Sequence, residues 1–171
     1  MKIRHITKTE AAKVRKLSSV CFDYPYDTKG MTDEAYTEYL MENPQETLHA
    51  HPECTIGAFS DNGELMAAAA AIPFSFYFDG RSYEGNGIGN VSTYPQYRRK
   101  GAVRAIFKQM LEEAYQSGSA FSYLYPFSEA FYNAFGYYRM DNSICHQYAL
   151  HSLPDYSFTG SFSIKEGAHV P

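Results

Sequence analysis

The chain has 171 residues, 44% hydrophobic and 20% charged, enough for one globular domain with a substantial core and too little for two of ordinary size. Its net charge of −4 hides a segregation, since residues 1–16 carry +5, residues 17–80 carry −10, residues 81–108 carry +5 and residues 109–171 carry −4. A mildly acidic whole argues against nucleic acid or membrane as a partner, because such binding draws on a broad basic face, but a local anion site remains allowed.

No segment approaches the roughly 18 uninterrupted apolar residues of a membrane helix, and Met1-Lys2-Ile3-Arg4-His5 lacks the apolar run of a signal peptide, so a cytoplasmic protein is expected. Cys21, Cys54 and Cys145 are odd in number and widely spaced, and read as reduced thiols. The 16 tyrosines and 12 phenylalanines, without tryptophan, suit a packed core as well as they suit a ligand pocket.

Taken in order, Ile3–Ile6 is a short strand and Thr7-Lys8-Thr9-Glu10 has the form of a helix capping box. Val14, Leu17 and Cys21 continue at helical spacing until Asp23-Tyr24-Pro25 ends the run. Thr32-Asp33-Glu34 opens a second helix to about Leu40. The turn signals Asp61-Asn62-Gly63 and Asp79-Gly80 then separate three β-like runs, Cys54–Phe59, Glu64–Phe78 and Ser82–Tyr94, which predict an antiparallel meander. The alanines Ala67–Ala71 pull the middle run toward helix on propensity alone. From Lys100 to Gln116, Val103, Ile106, Phe107, Met110, Leu111, Ala114 and Tyr115 form an apolar stripe of helical period. Phe121–Tyr125 is a short buried strand, Ser128 caps a helix Glu129–Phe135 closed by Gly136, and Tyr137–Leu150 returns as strand. The predicted class is α/β (α+β), a mixed sheet in the order β-α-α-β-β-β-α-β-α-β. Residues 1–150 form the domain, and 151–171 are a final strand or the start of a linker.

The informative stretch is Val91-Ser92-Thr93-Tyr94-Pro95-Gln96-Tyr97-Arg98-Arg99-Lys100-Gly101-Ala102-Val103-Arg104. A strand enters a turn holding three consecutive cations and a glycine, and the long helix begins at once. Free N–H groups, the positive end of the helix dipole and the glycine together seat a pyrophosphate. The dipole contributes only about 0.3–1 kcal/mol, so Arg98, Arg99, Lys100 and Arg104 must add much of the attraction. The P-loop pattern is absent. A dinucleotide fingerprint does not fit either, because Gly85, Gly87 and Gly89 lie inside an antiparallel strand. Glycines there mark a bulge or a close ligand approach, and a splayed strand would offer its backbone to an amide-bearing arm.

Arg98-Arg99-Lys100-Gly101-Ala102 resembles the acetyl-CoA motif of the GNAT superfamily of N-acetyltransferases, with Val103 where the last small residue usually stands. The run Val91–Gly101, and Ser122-Tyr123-Leu124-Tyr125-Pro126-Phe127-Ser128 with Phe131-Tyr132-Asn133-Ala134-Phe135-Gly136-Tyr137, resemble the first domain of the enhanced-intracellular-survival (Eis) family. This resemblance implies a GNAT fold splayed at the acetyl-CoA site. It also implies direct transfer of an acetyl group from acetyl-CoA to a primary amine. Val91, Ser92 and Thr93 would contact the pantetheine arm, Arg98, Arg99, Lys100, Gly101, Ala102, Val103 and Arg104 the pyrophosphate, and Ser128 the cofactor as well, with Tyr132 as general acid toward the departing thiolate. A phenol of pKa about 10 gives a proton without prior ionisation. Eis proteins continue into further domains, one of which sends a terminal carboxylate into the active site, so this chain corresponds to the first domain or to a short homologue.

Presenting a lysine-like amine neutral at pH 7 costs about 4–5 kcal/mol, and its proton needs an acceptor. The strand glutamate that many GNAT enzymes use is replaced near Gly87 by glycine, and Glu84 is only close in sequence. The walls of the acceptor cleft would come from the first two helices, where Phe22, Asp23, Tyr24, Tyr26, Asp27 and Tyr36 sit. Carboxylates with aromatics favour a polycationic amine, aminoglycoside-like or polyamine-like. The competing function is a catalytically silent acetyl-CoA-binding module, and a homo-oligomer is allowed. His49-Ala50-His51 with Cys54 lacks the fourth ligand of a zinc site, so no metal is expected.

Overall fold

The β-forming runs assemble side by side into one five-stranded sheet of order β1-β2-β3-β4-β5, with β1 Lys2–His5, β2 Thr55–Phe59, β3 Leu65–Phe78, β4 Arg81–Thr93 and β5 Phe121–Leu124. The first four strands pair antiparallel, as the meander required, and β5 runs parallel to β4. The computed structural model describes residues 1–44, 50–140 and 147. Met1–Tyr138 form one compact unit and Arg139–Pro171 another; the tail 151–171 lies outside the described residues. The β3–β4 hairpin closes on Asp79-Gly80, both at positive φ (49° and 73°), the geometry that a two-residue turn between twisted strands demands.

Helices α1 (Ala11–Phe22) and α2 (Asp33–Glu42) lie on one face of the sheet, and α3 (Ala102–Gln116) on the other, followed by the short α4 (Glu129–Asn133). Val14 and Leu17 of α1 pack with Ile6, Phe59, Leu65 and Ala68, while Tyr36 and Leu40 of α2 pack on Ala11 and Ala12. On the opposite face Ile106, Phe107 and Met110 of α3 meet Ile56, Ala58, Ala67, Ala69 and Ile88. The alanine run is therefore strand, not helix. Its residues Ala67–Ala70 are fully buried because a helix covers each face, and tertiary packing outweighs the few tenths of a kcal/mol by which propensity favours helix.

Where the capping box was expected, a 3₁₀ turn Lys8–Glu10 precedes α1. Glu10 Oε2 accepts from the Thr7 N–H at 2.8 Å, and the same carboxylate takes both Arg4 guanidinium nitrogens at 2.8 Å. The guanidinium also stacks 3.8 Å from the Phe59 ring. This fork ties β1 to α1, and the Arg4 hydrogen bonds hold the Glu10 carboxyl down at about 2. The strand expected from Tyr137 does not begin in Tyr137–Met140, which are irregular. The Tyr137 hydroxyl turns instead to Ser122 Oγ at 2.6 Å. Most of the remainder of that expected strand lies outside the described residues.

Candidate functional site

Strands β4 and β5 are in register only from Gly85↔Phe121 to Ile88↔Leu124. Because β4 continues to Thr93 while β5 stops at Leu124, Gly89–Thr93 has no β5 partner and the sheet opens there. The register with β3 also slips, since Ala68 faces Ser92 but Ala70 faces Gly89, leaving Asn90 and Val91 opposite Ala69 in a β-bulge. Asn90 sits at φ +53°, a region that asparagine tolerates better than most side chains. The bulge thus falls one residue beyond the glycines that suggested it. Gly85 and Gly87 serve a different need: a Cβ would stand 2.8 Å from Phe76 Cε1 at the first and 3.2 Å from Phe74 Cε1 at the second.

Helix α1 holds this stretch from one side. Ser18 Oγ donates to Asn90 Oδ1 at 2.5 Å, and Cys21 Sγ donates to the Thr93 carbonyl at 3.3 Å. Ser92 Oγ lies 3.1 Å from the Asn90 carbonyl and 3.4 Å from that of Ala68. Ser18, Cys21 and Asn90 had no site role in the sequence reading, because their roles depend on a strand about seventy residues away reaching α1. Below the opening, Ser122 Oγ donates to Asn86 Oδ1 at 2.6 Å and accepts from Tyr137, which clips β4 to β5 where they still pair.

Past the strand, a 3₁₀ turn Pro95–Tyr97 leads to Arg98, Arg99 and Lys100, and Gly101 stands at the N-cap of α3 with φ +78°. Gly101 supplies no side chain to the helix start, so the first-turn N–H groups are not used up by a cap. A Cβ at Gly101 would point into open space, which makes its backbone angle the reason for glycine. Arg98, Arg99, Lys100 and Arg104 are exposed, and none has a carboxylate partner among the described residues. Ala102 and Val103 anchor the helix against the core, leaving their backbone as the part free to meet a ligand.

Tyr132 is 4% exposed, in edge contact with Phe131 at 5.0 Å and Tyr137 at 6.4 Å and tilted against Phe107 at 6.0 Å. Burial, and then the neighbouring Tyr137, push its pKa up, so the phenol stays protonated at neutral pH. Ser128 Oγ accepts from the Phe131 N–H at 3.3 Å and caps α4.

On the α1 face of the sheet, a pocket of about 300 Å³ is lined by Arg15, Ser18, Phe22, Tyr24 and Asn90. Of the six side chains expected at an acceptor wall, only Phe22 and Tyr24 line it. Tyr36 is buried in the α1–α2 core and meets Tyr26 edge-on at 6.0 Å. Tyr26 donates to Asp33 at 3.0 Å, and Asp27 accepts the Lys29 N–H at 2.7 Å. Asp23 ends α1 in the left-handed region and is exposed. Among the described residues the lining contains no carboxylate or imidazole, and Glu84 is occupied with Ser75 at 2.8 Å. The signal that would have found the pocket was the spacing of Arg15, Ser18 and Phe22, at i, i+3 and i+7 on one side of α1. His49 of the zinc candidate lies outside the described residues, among which no metal-binding cluster occurs.

A strand that opens from its neighbour, bulges, and feeds a cationic glycine turn at an uncapped helix start is the arrangement that the resemblance implied. A family model for an acetyltransferase (GNAT) domain matches residues 2–140. The chain belongs to the GNAT acetyltransferase family. A conserved protein of Enterococcus faecalis V583, described as a probable N-acyltransferase, is 29% identical with a TM-score of 0.64, over 80% of this chain and 31% of that one. Eis1 from Mycobacterium abscessus is 19% identical with a TM-score of 0.61, again over 80% of this chain and 31% of its own. Glucosamine-6-phosphate N-acetyltransferase from Arabidopsis thaliana is 14% identical with a TM-score of 0.63, over 86% and 98%. The last two likenesses are of fold alone. The chain thus spans under a third of the length of the first two proteins. No curated protein matches the sequence. GNAT acetyltransferases use acetyl-CoA as acetyl donor, and the residues present fit it: a strand edge without a β5 partner for an amide-bearing arm, and exposed cations with no carboxylate partner among the described residues at an open helix start for the phosphates. No helix among the described residues is long and apolar enough to cross a membrane.

Proposed function

We propose that this chain is an acetyl-CoA-dependent N-acetyltransferase acting on the primary amine of a small acceptor. The observation that carries the reading is the opening of β4 from β5 beyond Ile88, next to the cationic start of α3. Bound there, acetyl-CoA supplies the acetyl group: the amine nitrogen bonds to the thioester carbonyl carbon, the C–S bond breaks, and each ammonium acetylated releases one proton. The backbone of Val91 to Thr93, which has no β5 partner, holds the arm, and N–H groups fixed in place beforehand stabilise developing charge without reorganising. Arg98, Arg99, Lys100 and Arg104 neutralise the phosphates, and the N–H groups of Ala102 and Val103 meet them at the dipole's positive end. Tyr132 holds its phenolic proton through neutral pH and delivers it to the leaving sulfur. Water takes both protons that the ammonium loses, releasing one and returning the other to the Tyr132 phenolate, since the described lining of the pocket contains no carboxylate or imidazole.

For the acceptor, the exposed carboxylates of Asp23, Asp27, Glu34 and Glu38 on and between α1 and α2 support additional ammonium groups, as in a polyamine or an aminoglycoside. The reduced thiol of Cys21 suits a cytosolic setting. The decisive test measures CoA release with a panel of primary amines by wild type and Tyr132→Phe. Turnover that drops about 10²-fold or more in the variant, with acetyl-CoA affinity retained, is expected for a general acid. Binding of acetyl-CoA with no amine acetylated would instead establish the silent cofactor-binding module.

A further inference from the structure

Arg15 is the single charged residue lining the pocket on the α1 face, and it lies at the end of the basic first segment of the chain. Its guanidinium carbon lies 6.0 Å from the Tyr24 ring, and no carboxylate pairs with it among the described residues. A half-buried arginine facing a cavity without a partner leaves five donors in a fixed fork, the geometry that takes a carboxylate or phosphate in bidentate fashion. The polar atoms beside it are Ser18 Oγ and the Asn90 side chain, and Phe22 and Tyr24 supply apolar walls for a short carbon frame. Asn90 belongs to the bulge that sets the open stretch of β4, so a molecule in this pocket is within a few atoms of the place where an acetyl group would be presented.

The phosphates of CoA do not account for Arg15. Their cations Arg98 to Arg104 stand at the start of α3, which packs on the opposite face of the sheet from α1. We propose that the acceptor is a small amine bearing its own anionic group, a carboxylate or a phosphate monoester, and that Arg15 binds that group and orients the amine toward the bulge. This rests on the acetyltransferase reading above and names the substrate class for the same site. The exposed acids farther along α2 then act on the cationic end of the same molecule.

The test compares pairs that share an amine and differ by the anion: phosphoethanolamine against ethanolamine, an amino acid against its amide, with spermidine and an aminoglycoside as polycationic controls. CoA release by the full chain is expected to favour the anionic member by 10- to 100-fold in kcat/KM, the range of a charge-assisted bidentate contact. Which pair shows the larger preference separates carboxylate from phosphate. Arg15→Gln should raise KM for the anionic member by a similar factor while the Kd of acetyl-CoA stays within twofold, and Arg15→Glu should reverse the preference. Faster turnover of the neutral or polycationic amines overturns the proposal and leaves the acetyltransferase reading intact. No turnover of any amine despite acetyl-CoA binding removes both.

Discussion

Glutamine at position 10 would keep the shape of the side chain and an oxygen for the Thr7 N–H, and would remove the charge that faces Arg4. The Glu10 carboxyl is held at about 2 against an ordinary 4.5, with the Arg4 hydrogen bonds as the largest cause. At about 1.4 kcal/mol per pK unit, that gap corresponds to at most about 3.5 kcal/mol of stability at neutral pH. Arg4 keeps 32% of its side chain exposed against 12% for Glu10, so water screens part of the pair and about 2 kcal/mol is the working figure. The carboxyl is depressed in the folded state, so its contribution is full above pH 4.5 and disappears as the pH falls toward about 2. Urea denaturation of wild type and Glu10→Gln at pH 7 should therefore differ by about 2 kcal/mol, a melting shift of roughly 4–8 °C for a domain of this size. At pH 2.5, half a unit above the folded-state value, the difference should fall to about a quarter of that. Equal differences at both pH values, or a gap under about 0.5 kcal/mol at pH 7, would show that the fork between β1 and α1 does not act as described.

Gly101→Ala places a Cβ on a backbone at φ +78° and should cost about 1–2 kcal/mol in thermal stability, with weaker acetyl-CoA binding in calorimetry as the turn relaxes; unchanged binding would detach the turn from the cofactor. Gly85→Ala brings a Cβ to 2.7 Å from the Phe121 carbonyl oxygen, backbone that cannot give way, and should destabilise by about 1–3 kcal/mol, more than Gly87→Ala, whose nearest neighbour is a ring that can shift. Arg98→Ala and Arg99→Ala should each weaken acetyl-CoA binding about tenfold, with the loss shrinking at high salt as screening sets in; a salt-independent loss would point to packing.

Much of the fold could be read from local pattern. The turn pairs, the apolar stripe of α3 and the Ser128 cap each follow from contacts within a few residues, which is why their bounds fell within two residues of those observed. The phosphate turn was legible for the same reason, since cations, glycine and helix start are consecutive. The alanine run of β3 was the hard case, because only the two helices that cover it make a strand of it.

The pocket on the α1 face was where reading residue by residue gave least. Composition pointed to the acids between α1 and α2, yet Asp27 and Asp33 are engaged in local hydrogen bonds and the pocket carries Arg15 instead. By itself the sequence determined the element order from Lys2 to Asn133 and the cationic glycine turn at the start of α3, because both are written in neighbouring residues. Only the tertiary structure decided where β4 leaves β5, how Asn90 bulges and which face of α1 meets it, because those depend on register and packing between segments some seventy residues apart, and no local signal encodes them.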